Sequence, residues 1–175
     1  DMGGTSFEAS LSFGAPAAAN DGEIARHKIA LPMLDIHTIG AGGGSIGWLD
    51  EGGLLRMGPQ SAGAAPGPAC YGQGGTLPTV TDANLVLGYL DPAYFAGGKI
   101  KLDEAGAKAA LQMAIGTPLG LKDFWPAAGV TEIVEENMAN AARVHAIERG
   151  RDISACTMIA FGGGAPLHAC SLAEK

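Results

Sequence analysis

Apolar and polar residues alternate in short runs through the first half of the chain, as they do in β-strands. Phe7–Phe13 and Ile24–Leu31 are two such runs, and together they predict a hairpin that stands on the first six residues. Ile46–Leu49 and Leu54–Met57 flank a turn with two adjacent glycines, so they predict a second, shorter hairpin. The stretch that follows is predicted to be an ordered but irregular loop.

The second half of the chain is predicted to be mostly helical. Thr81 is the expected N-cap of one helix, with Asp82 favourable in its first turn. Asp103 is expected to open another helix that reaches about Ile115. The clearest helical stripe repeats apolar residues at i, i+3 and i+4 spacing and stops at a basic residue and a glycine. Its apolar members are Val130, Ile133, Val134, Met138, Ala141 and Ala142, and its stop is Arg149-Gly150.

The last predicted strand is the continuous apolar run Cys156–Phe161, as expected for a strand buried on both faces. Three consecutive glycines follow it, and Pro166 then marks the start of a helix that continues to Glu174. The predicted order is therefore a turn, a hairpin, a glycine-rich region, helices, and a final strand–glycine loop–helix unit.

Composition changes this picture mainly through glycine, which makes up 28 of the 175 residues, against a usual share of roughly 7%. The glycines are clustered, which indicates tight turns or places where the backbone approaches a ligand closely. The length suits one domain, or one lobe of a larger enzyme. Because the sequence starts at Asp1 and stops within a predicted helix, we expect a piece of a longer polypeptide.

Charge and hydropathy narrow the function classes. The formal net charge is −7, and the sequence has no basic patch interleaved with aromatic residues, so a nucleic-acid partner is not expected. No apolar run approaches the roughly 18 residues of a membrane helix, and neither a membrane span nor a signal peptide is predicted. Three cysteines without CxxC spacing, Cys70, Cys156 and Cys170, are typical of a protein in a reducing cytoplasm.

Three glycine-containing segments suit ligand binding. Residues 1–6 combine an aspartate, two adjacent glycines and two hydroxyl residues; such backbone can converge on a phosphate, with the carboxylate beside Mg²⁺. An ordinary hairpin turn explains the same residues equally well. Gly40–Ser45 contains three consecutive glycines, which suit close backbone approach to a ligand or a flexible connection. Phe161–His168 has the strand–glycine–helix order that holds anions, but it matches neither Walker A nor G-x-G-x-x-G.

The four histidines do not stand at metal-ligand spacing from one another. His145 falls on the long predicted helix, where packing or surface exposure explains it. His37 and His168 flank the second and third glycine segments, and a structural or a functional role fits each equally. The cysteines resemble buried small residues more than nucleophiles.

Four stretches together resemble the hydantoinase A family. They are DMGGTSFEASL (1–11), the glycine-rich stretch 31–92, ERGRD (148–152) and FGGGAPLHA (161–169). This family includes ATP-dependent N-methylhydantoinase and 5-oxoprolinase, and related subunits of acetone and acetophenone carboxylases and of caprolactamase. The resemblance runs nearly end to end, so residues 1–175 are expected to be one hydantoinase A-type ATP-binding domain.

The resemblance implies an α/β fold, namely the second lobe of an actin-like ATPase of the sugar-kinase and heat-shock type, with hairpin strands followed by helices. In that fold two lobes enclose ATP, and each contributes a phosphate turn. Residues 1–6 would be the second-lobe turn and residues 162–166 the adenosine motif. The first-lobe turn has no copy in this sequence, so ATP hydrolysis by this segment alone is not expected.

The same resemblance assigns the site residues. Asp1 would bind Mg²⁺ or orient water, and Glu8, which stands where many relatives have Asp, would share the catalytic role. A second departure is Gly164-Ala165, where relatives often have Ala-Gly. The expected nucleotide-binding residues are Gly3, Gly4, Thr5, Ser6, Gly42, Gly43, Gly44, Ser45, Gly162, Gly163, Gly164 and Pro166.

The activity implied is ATP- and Mg²⁺-dependent opening of hydantoin- or 5-oxoproline-like rings through a phosphorylated intermediate. The implied partner is a hydantoinase B-type subunit in a hetero-oligomer. Two alternatives stay open: a carboxylase-type subunit acting on a ketone such as acetone or acetophenone, and a non-catalytic nucleotide-binding fragment.

Overall fold

The computed structural model describes residues 1–24 and 26–175. Short strands fill the first third and helices the rest. The strands are β1 (Phe7–Ala9), β2 (Ala18–Ala19), β3 (Gly22–Ile24), β4 (His27–Ile29), β5 (Met33–Leu34), β6 (His37–Ile39), β7 (Ser45–Leu49) and β8 (Leu55–Ser61). The helices are α1 (Val80–Val86), α2 (Glu104–Leu111), α3 (Thr117–Leu119), α4 (Trp125–Glu148) and α5 (Ala165–Glu174), with a π-helical turn at Gln112–Gly116 between α2 and α3.

The first predicted hairpin is wrong, because β1 pairs with β6 instead of with the next strand along the chain. Phe7 lies opposite Ile39 in this antiparallel pair, and Phe7 is buried. The predicted strand Ile24–Leu31 is replaced by β3 and β4, which pair with each other; Ala25 lies outside the described residues. Turn residues before and after each run keep these strands short, so pairing is decided by which apolar side chains reach the core.

The second predicted hairpin is confirmed as β7 and β8, although β8 continues to Ser61. Asp50 closes its turn, because Oδ1 accepts hydrogen bonds from the amides of Gly52 and Leu54, each 3.0 Å long. The hairpin carries the chain back to the glycine segment at Gly40–Ser45.

The long helix α4 is confirmed and forms the centre of the core. Its buried face packs against α1, β1, β8 and α5. Arg149 and Gly150 end the helix as predicted, with Gly150 at a φ of +63°. The helix opened by Asp103 is also confirmed, since the Asp103 carboxylate accepts from the Gly106 amide at 3.0 Å. The buried core residues include Met2, Phe7, Val80, Leu111, Ile115, Val130, Val134, Met138, Ala141 and Ala165.

The predicted cap of α1 is wrong by two residues. Thr79, not Thr81, is the N-cap, and Thr79 and Asp82 form a reciprocal capping box. The Asp82 carboxylate is fully buried and also accepts from the Cys70 amide at 2.7 Å. Burial, together with the nearby Asp82 charge, raises the pKa of the Cys70 thiol well above its usual value, so Cys70 is not a nucleophile.

The predicted buried strand Cys156–Phe161 does not form. Ile159 is 80% exposed and Phe161 is 60% exposed. Within the part of the chain that the structure describes, two backbone hydrogen bonds join this run to its surroundings. The Met2 amide donates to the Phe161 carbonyl oxygen at 3.3 Å, and the Cys156 amide donates to the Ile153 carbonyl oxygen at 3.0 Å. A buried apolar strand pairs with neighbours along its edges, and no strand of the described residues pairs with this run.

Candidate functional site

The opening residues form a tight hairpin with two different faces. Asp1 and Glu8 exchange both backbone hydrogen bonds, 2.8 Å and 2.9 Å long, so they are a directly opposed antiparallel pair. Their side chains therefore leave the hairpin on the same face. Met2 and Phe7, the next pair, are buried on the opposite face and anchor the hairpin in the core.

The turn at the end of this hairpin is open to solvent. The Gly3 amide donates to the Ser6 carbonyl oxygen at 3.1 Å and closes the turn. Gly3, Gly4 and Thr5 are exposed, and a Cβ atom added at either glycine would meet nothing within 4 Å. Among the described residues, the amides of Gly4, Thr5 and Ser6 donate no hydrogen bond. Exposed, unpaired amides in a short turn are the donors that a phosphate group requires.

The second glycine segment lies against the turn and holds it. The Gly43 amide donates to Gly3 O at 3.0 Å, and the Gly44 amide donates to Gly4 O at 2.7 Å. A Cβ on Gly42 would lie 2.6 Å from the carbonyl carbon of Gly4, closer than real Cβ atoms come to backbone. These two amides are used within the protein, so the segment positions the turn from behind.

The helix α1 in turn fixes the second glycine segment. Both the amide and the hydroxyl of Thr81 donate to Gly43 O, each at 2.8 Å. Ser45 is fully buried, and its hydroxyl oxygen accepts from the Gly42 amide at 2.8 Å. Sequence reasoning took Thr81 for a helix cap and so missed this support. Ser61 was missed as well; its hydroxyl lies 3.4 Å from that of Thr5.

The third glycine segment adjoins the start of the hairpin. The Gly164 amide donates to Met2 O at 2.9 Å. Gly162 has a φ of +90°, and a Cβ there would overlap the Asp1 carboxylate and lie 2.8 Å from Met2 O. Only glycine tolerates this conformation and this closeness. Pro166 lies in the first turn of α5, as predicted, and Gly164, the N-cap of α5, lies against Met2.

Asp1 and Glu8 are half-buried, and their carboxylates form no hydrogen bond among the described residues. Across residues 1–24 and 26–175 there is no group of three or more His, Cys, Asp or Glu side chains that could bind a metal. Two carboxylates on one face still fit Mg²⁺, because this ion takes one or two protein carboxylates together with water and substrate phosphates.

The histidines differ in their surroundings. His37 lies on β6, and its ring centroid is 6.0 Å from that of the buried His145. Burial first, and then the nearby Arg149 charge, lowers the pKa of His145, so that this imidazole is neutral near pH 7. His168 is fully buried between α1, α4 and α5.

None of the described helices is long and apolar enough to cross a membrane.

An exposed glycine turn, two carboxylates on one face and an adjoining helix N-terminus form one candidate site in a mixed α/β segment. A family profile described as Hydantoinase/oxoprolinase matches residues 1–175. The chain belongs to the Hydantoinase/oxoprolinase family, and the resemblance drawn from its sequence is confirmed.

Two relatives show what kinds of enzyme the family contains. The chain is 46% identical to the caprolactamase alpha subunit of Pseudomonas jessenii, over 100% of this chain and 25% of that protein. It is 40% identical to the acetophenone carboxylase gamma subunit of Aromatoleum aromaticum, over 98% of this chain and 24% of that protein. The chain therefore spans about a quarter of the length of these relatives.

Two solved structures share the fold. A nucleotide-free acetone carboxylase, an enzyme of ATP-dependent acetone carboxylation, superimposes with a TM-score of 0.91 at 33% identity, over 99% of this chain and 25% of that chain. The ATP-dependent caprolactamase of Pseudomonas jessenii superimposes with a TM-score of 0.89 at 45% identity and the same coverage. The prediction of a mixed α/β segment with antiparallel hairpins followed by helices is confirmed.

Proposed function

We propose that this chain forms the second-lobe half of an ATP clamp in an ATP-dependent hydrolase that opens cyclic amides of the hydantoin or 5-oxoproline type. The observation that carries the proposal is the turn at Gly3–Ser6. Among the described residues the amides of Gly4, Thr5 and Ser6 donate no hydrogen bond, whereas the carbonyl oxygens of Gly3 and Gly4 accept from the second glycine segment. Residues 1–175 act as one ATP-binding domain of the actin-like type. The rest of the clamp belongs to the complete subunit, since the chain spans about a quarter of its relatives.

Each side of the turn has its own role in this proposal. The amides of Gly4, Thr5 and Ser6 donate to phosphate oxygens of ATP, as backbone nests do. Asp1 and Glu8 bind Mg²⁺ and orient water on the carboxylate face of the hairpin. Bound there, Mg²⁺ supplies neutralisation of the charge on the transferring phosphoryl group.

The other two glycine segments position the nucleotide. Gly42–Ser45 fixes the turn, because its amides bond the turn carbonyls. Gly162–Gly164 lets the adenosine or ribose approach backbone closely, and a Cβ at Gly163 would meet nothing within 4 Å. Pro166 sets the direction in which α5 leaves this loop.

The chemistry that this arrangement supports is activation of a poor electrophile. The γ-phosphoryl group of ATP is transferred to the carbonyl oxygen of the cyclic amide, and ADP leaves. Water then attacks the activated carbon, the ring C–N bond breaks with a proton passing to the nitrogen, and an acyl phosphate is left. A second water hydrolyses this acyl phosphate to the carboxylate and releases phosphate. The residues of this chain contribute positioning and charge stabilisation, which dominate phosphoryl-transfer catalysis.

A second candidate is a carboxylase subunit, in which ATP activates bicarbonate or a ketone enolate. The TM-score of 0.91 with acetone carboxylase favours it. The 46% identity with a caprolactamase subunit, whose name denotes a cyclic amide, favours the hydrolase. Both candidates use the same nucleotide site.

The proposal includes a B-type partner subunit in a cytoplasmic hetero-oligomer, because the relatives named above are subunits of multi-subunit enzymes. The test titrates ATP into the complete subunit by calorimetry and measures phosphate release with its partner present. A cyclic amide is expected to stimulate release, and Asp1→Asn is expected to lower it about 100-fold. Asp21→Asn, an exposed aspartate in the loop between β2 and β3, is the matched control.

The hydrolase is rejected if the subunit binds ATP but no cyclic amide stimulates phosphate release. Stimulation by bicarbonate plus a ketone would instead establish the carboxylase. Absence of ATP binding by the complete subunit would reject both and favour a non-catalytic role.

A further inference from the structure

Three buried polar side chains form a hydrogen-bonded line between α1, α4 and the first turn of α5, and they have no part in the roles assigned above. His168 Nδ1 lies 3.0 Å from Glu135 Oε1, and Asn84 Nδ2 lies 3.2 Å from His168 Nε2. His168 is 0% exposed, Asn84 3% and Glu135 4%. The three residues come from three different helices, α5, α1 and α4. One continuous hydrogen-bonded line therefore crosses the core.

Both ring nitrogens of His168 have a partner in this line. The Glu135 carboxylate is the partner of Nδ1, and the side-chain amide of Asn84 is the partner of Nε2. Such a line holds only when all three helices keep their relative positions, because each bond has a short range and a preferred angle.

Stability alone does not explain why these three polar side chains are buried together. The Asn84 Oδ1 atom is buried and has no hydrogen-bond partner among the described residues. A buried carboxylate costs folding free energy that apolar side chains of similar size would avoid. A polar network in such a place is best explained by the geometry it imposes.

Two members of the line, Asn84 and His168, each lie one helical turn after a support of the opening turn. Thr81, one helical turn before Asn84 on α1, holds Gly43 O. Gly164, one helical turn before His168, holds Met2 O through its amide. The Asn84–His168 contact therefore ties the support behind the turn to the support beside Asp1.

We propose that Glu135, His168 and Asn84 form a positioning network that sets the spacing of these two supports and thereby the affinity for ATP. This inference rests on the proposed function, since it concerns the same nucleotide site. None of the three side chains touches the turn itself, so they act through α1 and α5 and are not catalytic residues.

The experiment measures the dissociation constant of ATP for the complete subunit by calorimetry, with circular dichroism as the check on folding. Asn84→Leu and His168→Leu are each expected to weaken ATP binding about tenfold. Because both break the same line, the double variant is expected to bind no more weakly than either single variant. Glu135→Leu is expected to weaken binding as well, and Glu135→Gln to restore it, because the glutamine oxygen still accepts from Nδ1.

Thr131→Val is the matched control on α4. Its hydroxyl is buried without a partner among the described residues, one helical turn before Glu135, so its loss leaves the line intact. This variant is expected to bind ATP as the wild type does. An equal loss in Thr131→Val would show a general effect of core substitution and overturn the network.

The network is also overturned if the variants bind ATP with wild-type affinity, or if the double variant shows the full product of the two single losses. Should the leucine variants fail to fold, Asn84→Ala, which cannot overpack the core, is compared with Glu135→Gln, which keeps both the side-chain volume and the acceptor. Weaker ATP binding by Asn84→Ala alone supports the network, and wild-type binding by both overturns it. A wild-type subunit that binds no ATP would reject the proposed function instead, which separates the two failures.

Discussion

Residues 1–8 and residues 157–161 are joined by the hydrogen bond from the Met2 amide to the Phe161 carbonyl oxygen, and they differ in composition, hydrogen bonding and exposure. Residues 1–8 are polar and glycine-rich, and their hairpin is hydrogen-bonded within itself, to the second glycine segment and to the third. Residues 157–161 are almost wholly apolar, form no strand and are mostly exposed. A turn is thus specified by its own residues and by nearby glycines, whereas a buried apolar strand depends on neighbours along its edges.

The largest effect is expected from a substitution that prevents the second glycine segment from packing closely against the turn in residues 1–8. Gly42→Ala would place a Cβ 2.6 Å from the Gly4 carbonyl carbon, and that backbone cannot move without displacing the turn. We expect a loss of about 100-fold in kcat/KM for ATP-dependent phosphate release, as for a reacting group misplaced by about 1 Å. The measurement is steady-state phosphate release by the complete enzyme.

Gly129→Ala on α4 is the control for that prediction, because its Cβ would meet only the end of the Leu55 side chain, at 3.3 Å, and its φ is not positive. It is expected to retain activity within a few-fold. Equal activity of Gly42→Ala and wild type would contradict the view that the second glycine segment positions the turn.

Part of the structure of these two stretches could be predicted from the sequence. The features that were not predicted share one cause. The clusters that contain Gly42 and Gly162 were singled out in the sequence as places of close backbone approach, and in the structure the opening hairpin lies against both glycines; approach of a ligand to them stays a prediction. The pairing of β1 with β6 and the exposure of Ile159 were not predicted. Both depend on partners distant in sequence, and alternation or apolarity within a run does not name the partner.

The site was predicted in the same uneven way. The candidate residues and their three segments followed from composition and resemblance, and the structure brings these segments together. The support by Thr81 was missed because threonine before an apolar run also predicts a helix cap. The line from Asn84 to His168 was missed because two residues 84 positions apart leave no local pattern.

The exposure of residues 157–161 can be tested by replacing one of their apolar side chains with a polar one. In the isolated chain, Ile159→Ser is expected to change the free energy of unfolding by less than about 0.5 kcal/mol, because the side chain is 80% exposed. In the complete subunit, where we propose that further chain covers this run, the same change is expected to cost about 2–4 kcal/mol. Urea unfolding of both forms measures the difference.

Lys122→Ser, a polar residue in the loop before α4, is the control in both forms and is expected to cost little in either. An equally small effect of Ile159→Ser in the complete subunit would show that residues 157–161 are exposed there too. The exposure that distinguishes residues 157–161 from residues 1–8 would then not depend on the rest of the subunit.

A smaller effect is expected from weakening the contact between α1 and the glycine segment that supports residues 1–8. Thr81→Val removes the hydroxyl bond to Gly43 O but keeps the amide bond to the same oxygen. We expect a loss of about 1 kcal/mol in the free energy of unfolding, the usual net value of one hydrogen bond. The paired variant is Thr131→Val, whose hydroxyl has no partner among the described residues and whose change is expected to be neutral or stabilising. A larger loss in Thr131→Val than in Thr81→Val would contradict the assigned support.

The smallest effect concerns the ion pair of Asp35 and Arg149, which joins the segment before β6 to the end of α4. The hydrogen bond from Arg149, more than its charge, holds the pKa of Asp35 below its usual value, against the opposing effect of burial. A depressed carboxyl pKa contributes stability above the unfolded-state value of about 3.9, and that contribution is lost as the pH falls through the folded-state pKa. Asp35→Asn is therefore expected to cost less than about 1 kcal/mol at pH 7, to be indistinguishable from wild type below that window, and to lose its effect in high salt. Thermal unfolding at pH 7 and at a series of falling pH values, with and without salt, measures this; a loss that does not shrink as the pH falls would mean that Asp35 acts through packing instead of through its charge.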